Sequence, residues 1–349
     1  TYDGVVCEES HLTTPEALPL HMHYQNAVDS GIEYLTMEVS SQALKYHRVL
    51  GVTFDIGCFL NIGTDHISDV EHKDFEDYFS SKLKLFRQCR TAVVNLNADK
   101  SDIILEEAKK YAERVVTFGL KEEADVCGYD IVTATDGISF KVRTKDFTEP
   151  FKIGIRGLFN VQNALAAVAM STVLGIPTEF IRSGLLRTRA DGRMEIFTAP
   201  RKDLSVIVDY AHNKMSMEAL FESTQKEFPG KRISIVFGCP GNKAYARRRE
   251  LGEIAGRYSD KIYLTEEDPG EESVVAICEE IASYVEKEHG NYKIIPDRRE
   301  AIREAIREAG DHSVILVTAK GRETRQKRGT AYIETPSDVE MVEEFLKDE

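Results

Sequence analysis

The stretch LSVIVDYAHNKMSMEAL, residues 204–220, begins as an unbroken apolar, β-branched run. It turns polar at Asp209, Tyr210 and His212 and then takes up a helical pattern. A run that is apolar on both faces suits a strand inside a parallel sheet, because helices cover such a sheet on both sides. The same sequence of events recurs along the chain. EYLTMEVSS (33–41), VTFDIGCFLNI (52–62) and TAVVNLNAD (91–99) precede it; ISIVFGCPGN (233–242), KIYLTEEDPG (261–270) and SVILVTAKGRE (313–323) follow. Strands alternating with amphipathic helices imply the α/β class, with doubly wound and mostly parallel sheets. Ligands of such sheets sit beyond the carboxyl ends of the strands. The polar residues gather at those ends, and this makes them site candidates as a group.

Two departures from the pattern divide the chain. Between Ala124 and Gly157 short alternating segments such as GISFKVRT imply a small antiparallel sheet carried by the first domain. GLFNVQNALAAVAMSTVLG (157–175) then reads as an Ala-rich helix from about Val161, and RTRADGRMEIF (187–197) as a hinge with Gly192 ending a helix. The expected domains are 1–193 and 194–349. A length of 349 residues agrees with two domains.

Composition excludes several function classes. With 42% hydrophobic and 30% charged residues this is an ordinary globular chain. No apolar run approaches the roughly 18 residues of a membrane helix, so no membrane partner is expected. A net charge of −14 speaks against a nucleic-acid partner, which needs clustered Lys and Arg. Six scattered cysteines, with no close metal or redox pair, suit a reducing cytoplasm. The chain opens at Thr1 near a strand-like start, and an N-terminal portion is expected to be missing from it.

One residue contradicts its surroundings. On a helix through FEDYFSSKLKLF (75–86), at about 100° per residue, Phe75, Tyr78, Phe79, Leu83 and Phe86 share a face. Lys82 points along the centre of that face, and Lys84 points away to solvent. A desolvated lysine has a lowered pKa and can react as the neutral amine with carbon dioxide, giving an anionic carbamate; a snorkelling or ion-paired lysine is the plainer alternative. Glu38 and His66 each close an expected strand and suit a hard divalent cation, or serve as hydrogen-bonded strand ends. Asp209 and His212 suit a ribose or phosphate, or a capped turn. VFGCPGNKAYARRRELG (236–252) suits an anion, or a solvated arginine face. TAKGRET (318–324) adds Lys320 and Glu323. No GxxxxGK[ST] or GxxGK[ST] phosphate loop occurs in the 349 residues.

Taken together and in order, these segments resemble the Mur ligases, within them the MurE type that adds the third residue of the peptidoglycan stem peptide. TTP at Thr13 and Thr14, Ser40 of EVSS and the following Arg48 resemble the family's contacts to a UDP-MurNAc-dipeptide, and Glu38 of EVSS its metal ligand. NIGTDH places His66, with Glu38, as a Mg2+ ligand, and Lys82 falls where the family carries its carbamylated lysine. GLFNVQNALAA places Asn160 and Asn163 near the nucleotide base. GRME brings Arg193 to the ATP phosphates, and VDYAH brings Asp209 and His212 to ribose and phosphate. DRREAI, KGRE and PSDVE keep the family's order to the end. The resemblance implies an ATP- and Mg2+-dependent ligase. A substrate carboxylate becomes an acyl phosphate, which a free amino acid attacks, in a cytoplasmic enzyme expected to be monomeric. Lys82, Arg193 and His212 would be catalytic and assembled on domain closure, with Asp268, Gly270, Lys320 and Glu323 contacting the amino acid. A folate-type acid substrate and a non-catalytic nucleotide-binding module are the alternatives.

Three departures qualify the resemblance. The phosphate loop is absent, so the chain alone is expected to be inactive. The family's DNPR reads EDPG, with Gly270 in place of the arginine that forks onto diaminopimelate. GKGHE reads AKGRE, with Arg322 in place of histidine.

Overall fold

The computed structural model describes residues 1–8, 10, 12–64, 67, 68, 71–200 and 202–348. His66, an expected metal ligand, lies outside the described residues. By compactness the chain forms two units, Thr1–Cys127 with Leu165–Gly175, and Gly128–Ala164 with Ile176–Glu349.

In the first unit, α1 (Ala17–Asp29) and the short α2 (Ser41–Lys45) precede β1 (Phe54–Phe59). They are followed by α3 (Phe75–Leu83), a 3-10 turn (Lys84–Gln88), β2 (Cys89–Asn95), α4 (Ser101–Tyr111) and β3 (Arg114–Gly119). β1, β2 and β3 pair in parallel, with Ile56 opposite Thr91 and Val93 opposite Val116. The start of β4 (Val126–Ala134) continues the ladder through Phe118 opposite Val126. Phe59, Tyr78, Phe79, Phe86, Val94 and Ile104 form the core beside these strands.

Two expectations fail here. Residues 33–40 of EYLTMEVSS are assigned to no strand, and Tyr34 and Leu35 stand 61% and 46% exposed. A strand exists only through hydrogen bonds to a neighbour, and among the described residues none pairs with this segment. Lys84 is half-buried, where solvent exposure was expected. The helix stops at Leu83 and tightens to three residues per turn, so the 100° wheel no longer applies beyond it. Phe86 still reaches the core, fully buried.

In the second unit, β5 (Gly137–Arg143) and β6 (Thr148–Ile153) pair antiparallel, matching the alternation read from GISFKVRT. α5 (Phe159–Val173) follows, its residues from Leu165 on belonging to the first unit, and then α6 (Thr178–Arg187) in the second. The large sheet then assembles from β7 (Glu195–Thr198), β8 (Leu204–Asp209), β9 (Arg232–Phe237), β10 (Lys261–Leu264), β11 (Tyr292–Ile294) and β12 (Ser313–Thr318). Its order is β11-β10-β9-β12-β8-β7, parallel throughout except for the antiparallel edge β7. Successive side chains of a strand point to opposite faces, and each face has its own core. Ile207, Ile235, Leu264 and Leu316 pack toward α7 (Lys214–Glu227), α8 (Ala246–Tyr258) and α9 (Val274–Lys287). Val206, Val208, Val236 and Val317 pack toward α10 (Arg298–Glu308) and α11 (Asp338–Phe345). A hairpin of β13 (Arg325–Arg328) and β14 (Ala331–Glu334) stands apart from the large sheet. The fold is thus α/β, doubly wound and mostly parallel, with helices on both faces of the large sheet.

Candidate functional site

In the first unit a loop, a helix start and α3 bring several expected residues together. Thr14 is fully buried. Its hydroxyl donates to the Glu38 carbonyl at 2.8 Å and accepts from the Ser40 amide at 2.9 Å. Ser40 caps α2 through the Ala43 amide, and Arg48 donates to the Thr14 carbonyl while pairing with Glu16 at 2.9 Å. Thr14, Ser40 and Arg48 therefore meet around one backbone segment, from which the exposed Glu38 projects; Thr13 is exposed beside them. Lys82 is half-buried, its Nζ 5.2 Å from the Tyr78 ring and 5.8 Å from that of Phe59. The lysine does face aromatic side chains, as the helical wheel implied.

Sequence reasoning passed over the polar network linking these two features. The Ser41 hydroxyl lies 2.9 Å from Nε2 of the buried His72, whose Nδ1 is 3.3 Å from Asp77. Lys45 donates to Asp77 at 2.6 Å and to the Glu71 carbonyl at 2.9 Å. The Lys45 ammonium holds the Asp77 carboxyl down, to about 2. The His72 ring packs on Tyr78 at 5.3 Å, next to Lys82. Ser41 and Lys45 lie 26 to 32 positions from the partners they meet, Glu71, His72 and Asp77, and no spacing rule could have revealed those pairs.

Among the described residues no three His, Cys, Asp or Glu side chains form a group able to hold a metal ion. Glu38 nonetheless carries an exposed carboxylate on the segment whose backbone Thr14 holds, the oxygen chemistry a hard cation takes.

The second unit gathers its candidates at the carboxyl ends of β8, β10 and β12. Lys320, just past β12, is buried. Its Nζ donates to Asp268 at 3.0 Å and to Glu323 at 2.6 Å. Tyr210 donates its hydroxyl to the other Glu323 oxygen, and burial with the Glu323 charge pushes that phenol up. Arg193 stacks on the Tyr210 ring at 5.2 Å, and the His212 ring meets it edge-on at 5.2 Å. His212 Nδ1 lies 2.7 Å from the Tyr210 carbonyl. Since that oxygen only accepts, Nδ1 carries the proton. Tyr210 is thus the hub of the cluster, touching Arg193, His212 and Glu323. Asn160 and Asn163 bond to each other at 3.1 Å, and Asn160 also donates to the Arg156 carbonyl at 2.7 Å.

Asp209 has a different geometry from its neighbours. It is buried, and its oxygens accept the Met194 and Ala211 amides at 2.8 Å each. Burial pushes its carboxyl up. Its place is to hold the hinge, where Met194 has a φ of 47° that side chains rarely adopt. Arg322, the residue expected to be histidine, forks onto Glu195 at 2.7 and 2.6 Å, tying the hinge strand to the 319–323 loop. Gly270 has a φ of 60°. The added Cβ of a larger residue there would meet Asn242 at 3.5 Å, an ordinary contact. Beside it, Glu267 is buried with one oxygen that has no hydrogen-bond partner among the described residues, and burial pushes its carboxyl up to about 8. The hinge, the lysine loop and the acidic loop thus converge on one cluster of paired ammonium and carboxylate groups.

Residues 2–171 match the profile of the Mur ligase middle domain, and residues 192–321 that of the Mur ligase, glutamate ligase domain. A UDP-N-acetylmuramoyl-L-alanyl-D-glutamate--2,6-diaminopimelate ligase from Clostridioides difficile is 38% identical over 328 residues, 93% of this chain and 67% of that protein. A UDP-N-acetylmuramoyl-L-alanyl-D-glutamate--L-lysine ligase from Streptococcus thermophilus is 36% identical over 348 residues, 99% of this chain and 69% of that protein. The chain spans about two thirds of the length of the curated relatives it matches. Among solved structures, a MurF ligase from Thermotoga maritima in complex with ADP superposes with a TM-score of 0.65 at 17% identity, covering 97% of this chain and 72% of that one. A diaminopimelate ligase structure superposes with a TM-score of 0.60 at 22% identity, covering 94% and 68%. These two likenesses are of fold.

Proposed function

Because this chain belongs to the Mur ligase family, we propose that the protein carrying it is the ATP-dependent ligase that adds one amino acid to UDP-MurNAc-L-Ala-D-Glu in peptidoglycan precursor synthesis. The observation that carries this reading is the Lys320–Asp268–Glu323–Tyr210 cluster at the carboxyl ends of the second unit's strands. A free amino acid is a zwitterion, and the cluster offers it both signs of charge: an ammonium for its carboxylate and carboxylates for an amine.

The chemistry has two steps. A carboxylate oxygen of the muropeptide attacks the γ-phosphorus of ATP, forming an acyl phosphate and releasing ADP. The amino acid's α-amine then attacks the acyl carbon, the amide forms, and phosphate leaves. Thr13, Thr14, Ser40 and Arg48 contact the muropeptide. Asn160 and Asn163 take the base, and Arg193 and His212 the ATP phosphates. Asp209 acts on the nucleotide side by holding the hinge that presents Arg193. Glu38, His66 and a carbamate on Lys82 are the residues to hold Mg2+, which when bound supplies charge neutralisation between triphosphate and carboxylate. None of the 349 residues forms a GxxGK[ST] loop, so this chain by itself is proposed to be inactive. We assign 1–193 to the central domain and 194–349 to the amino-acid-binding domain, of a cytoplasmic monomer.

The incoming amino acid is one with a cationic side chain, lysine above all. Asp268 and Glu323 present carboxylates at the cluster, and Gly270 has no side chain to fork onto a second carboxylate. The test is amino-acid-dependent phosphate release by the full-length protein with UDP-MurNAc-L-Ala-D-Glu, ATP and Mg2+, each amino acid supplied singly. Release with lysine is expected. Release with diaminopimelate alone would overturn the specificity, and silence with every amino acid would overturn the ligase reading.

A further inference from the structure

Arg298 and Asp338 form an ion pair in the second unit with side chains only 6% and 0% exposed. Each stands in the first turn of its helix, Arg298 opening α10 and Asp338 opening α11. The guanidinium forks onto the carboxylate, Nε and Nη2 each donating at 2.7 Å. Both partners reach further. Arg298 Nη2 donates to the Thr318 carbonyl at 2.6 Å, and Nη1 to the Glu266 carbonyl at 3.4 Å. Asp338 Oδ2 accepts the Gly321 amide at 3.0 Å. One buried pair therefore touches the loop leaving β10, at residue 266, the last residue of β12, Thr318, and the loop that follows it, at Gly321.

Stability does not account for this arrangement. A buried ion pair has to offset a large desolvation cost and is often replaceable by apolar side chains without loss. Arg298 also sets a cation at a helix N-terminus, against the helix dipole. What the pair supplies is spacing. The 3.0 Å bond from Lys320 to Asp268 spans the same two loops, and a relative shift of about 1 Å between them would take it out of hydrogen-bonding range.

We infer that Arg298 and Asp338 are positioning residues that fix the separation of the 265–270 and 319–323 loops, so that Asp268, Lys320 and Glu323 meet as one amino-acid-binding cluster. What the cluster binds rests on the ligase reading above; the positioning itself does not. The motifs DRREAI and PSDVE, 40 residues apart between Arg298 and Asp338, are on this account two halves of one device serving a third, KGRE.

The test uses the full-length protein in three forms: wild type, Arg298→Met/Asp338→Leu, which replaces the pair with apolar bulk, and Arg298→Lys, which keeps the charge but loses the fork. Steady-state kinetics and backbone hydrogen exchange are measured on each. For the double variant we expect KM for the amino acid to rise roughly tenfold or more. KM for ATP and for the muropeptide should change less than about twofold. Exchange protection should fall in both loops and stay unchanged in β8, β9 and β12. Arg298→Lys should show the same split, smaller, and it serves as the variant if the double one does not fold. An unchanged amino-acid KM with unchanged loop protection would overturn the proposal, and so would a parallel rise of all three KM values. If the wild type ligates no amino acid, the ligase reading fails, and the exchange data alone decide the positioning role.

Discussion

The two segments that carry the expected substrate contacts are built in opposite ways. Residues 33–40 in the first unit form no helix or strand and have no strand partner among the described residues, leaving Tyr34, Leu35 and Glu38 exposed. Residues 319–323 in the second unit are held from several sides. Lys320 is buried between Asp268 and Glu323, Gly321 is bonded to Asp338, and Arg322 forks onto Glu195. A preorganised loop aims its charges before a ligand arrives. A segment outside regular structure does so only through its anchors, here Thr14, Ser40 and the Ser41–His72–Asp77 network. Changes in the first region should therefore act on chemistry, and changes in the second on amino-acid affinity and stability.

The largest break in this comparison should come from Lys82→Ala in the full-length protein. Phosphate release is expected to fall by roughly a thousandfold or more, with partial recovery on adding formate or acetate in place of the carbamate. Near-normal release without additive would remove Lys82 from the reaction. Folding should be little affected, because Lys82 is only half-buried.

Glu267→Gln should act on stability, through pH. Burial raises the folded carboxyl to about 8, above its unfolded value. The folded form thus binds the proton more tightly, and the resulting stability is complete below the unfolded value and lost as pH climbs toward 8. Denaturant melts of the wild type should weaken by roughly 3–5 kcal/mol between pH 4.5 and 8 from this group. The Gln variant, lacking the proton equilibrium, should lose that part of the slope. Parallel slopes for the two proteins would show that Glu267 ionises normally.

Gly270→Arg sharpens the question of specificity. Its φ of 60° disfavours a side chain, at about 1 kcal/mol by denaturant unfolding, while the Cβ meets nothing closer than 3.5 Å. Use of diaminopimelate should rise relative to lysine; an unchanged ratio would mean position 270 does not read the side chain. The smallest effect is expected from Ala319→Gly. Ala319 has a φ of 87° at the entrance to the lysine loop, and the substitution should stabilise by about 0.5–1 kcal/mol through relief of that strain. A loss of stability would show that the alanine methyl packs better than its backbone suffers.

The parts legible in sequence and the parts hidden there separate by distance along the chain. Lys82 among aromatic residues was readable, because 3.6-residue periodicity places neighbours within two turns, up to the point where the helix tightens after Leu83. The polar residues Asp209, Asp268 and Lys320 at the strand ends were readable from the switch between apolar and polar residues. The misread strand at 33–41 shows the limit: an apolar β-branched run predicts extension but not a partner. The pairs that shape the site lay beyond any local pattern. Ser41 and His72 are 31 positions apart, Arg298 and Asp338 are 40, and Arg322 and Glu195 are 127.

By itself, then, the sequence determined which segments become strands and helices in the second unit and which chemistry stands at their carboxyl ends. Backbone geometry imposes those periods within a few residues. Only the tertiary structure decided which polar groups become structural props, as Asp209 does for Met194 and Ala211, and which meet in one cluster, as Asp268, Lys320 and Glu323 do. Those partners are chosen by strand order and loop closure, and in a parallel sheet strands adjacent in space are separated by a whole crossover in sequence.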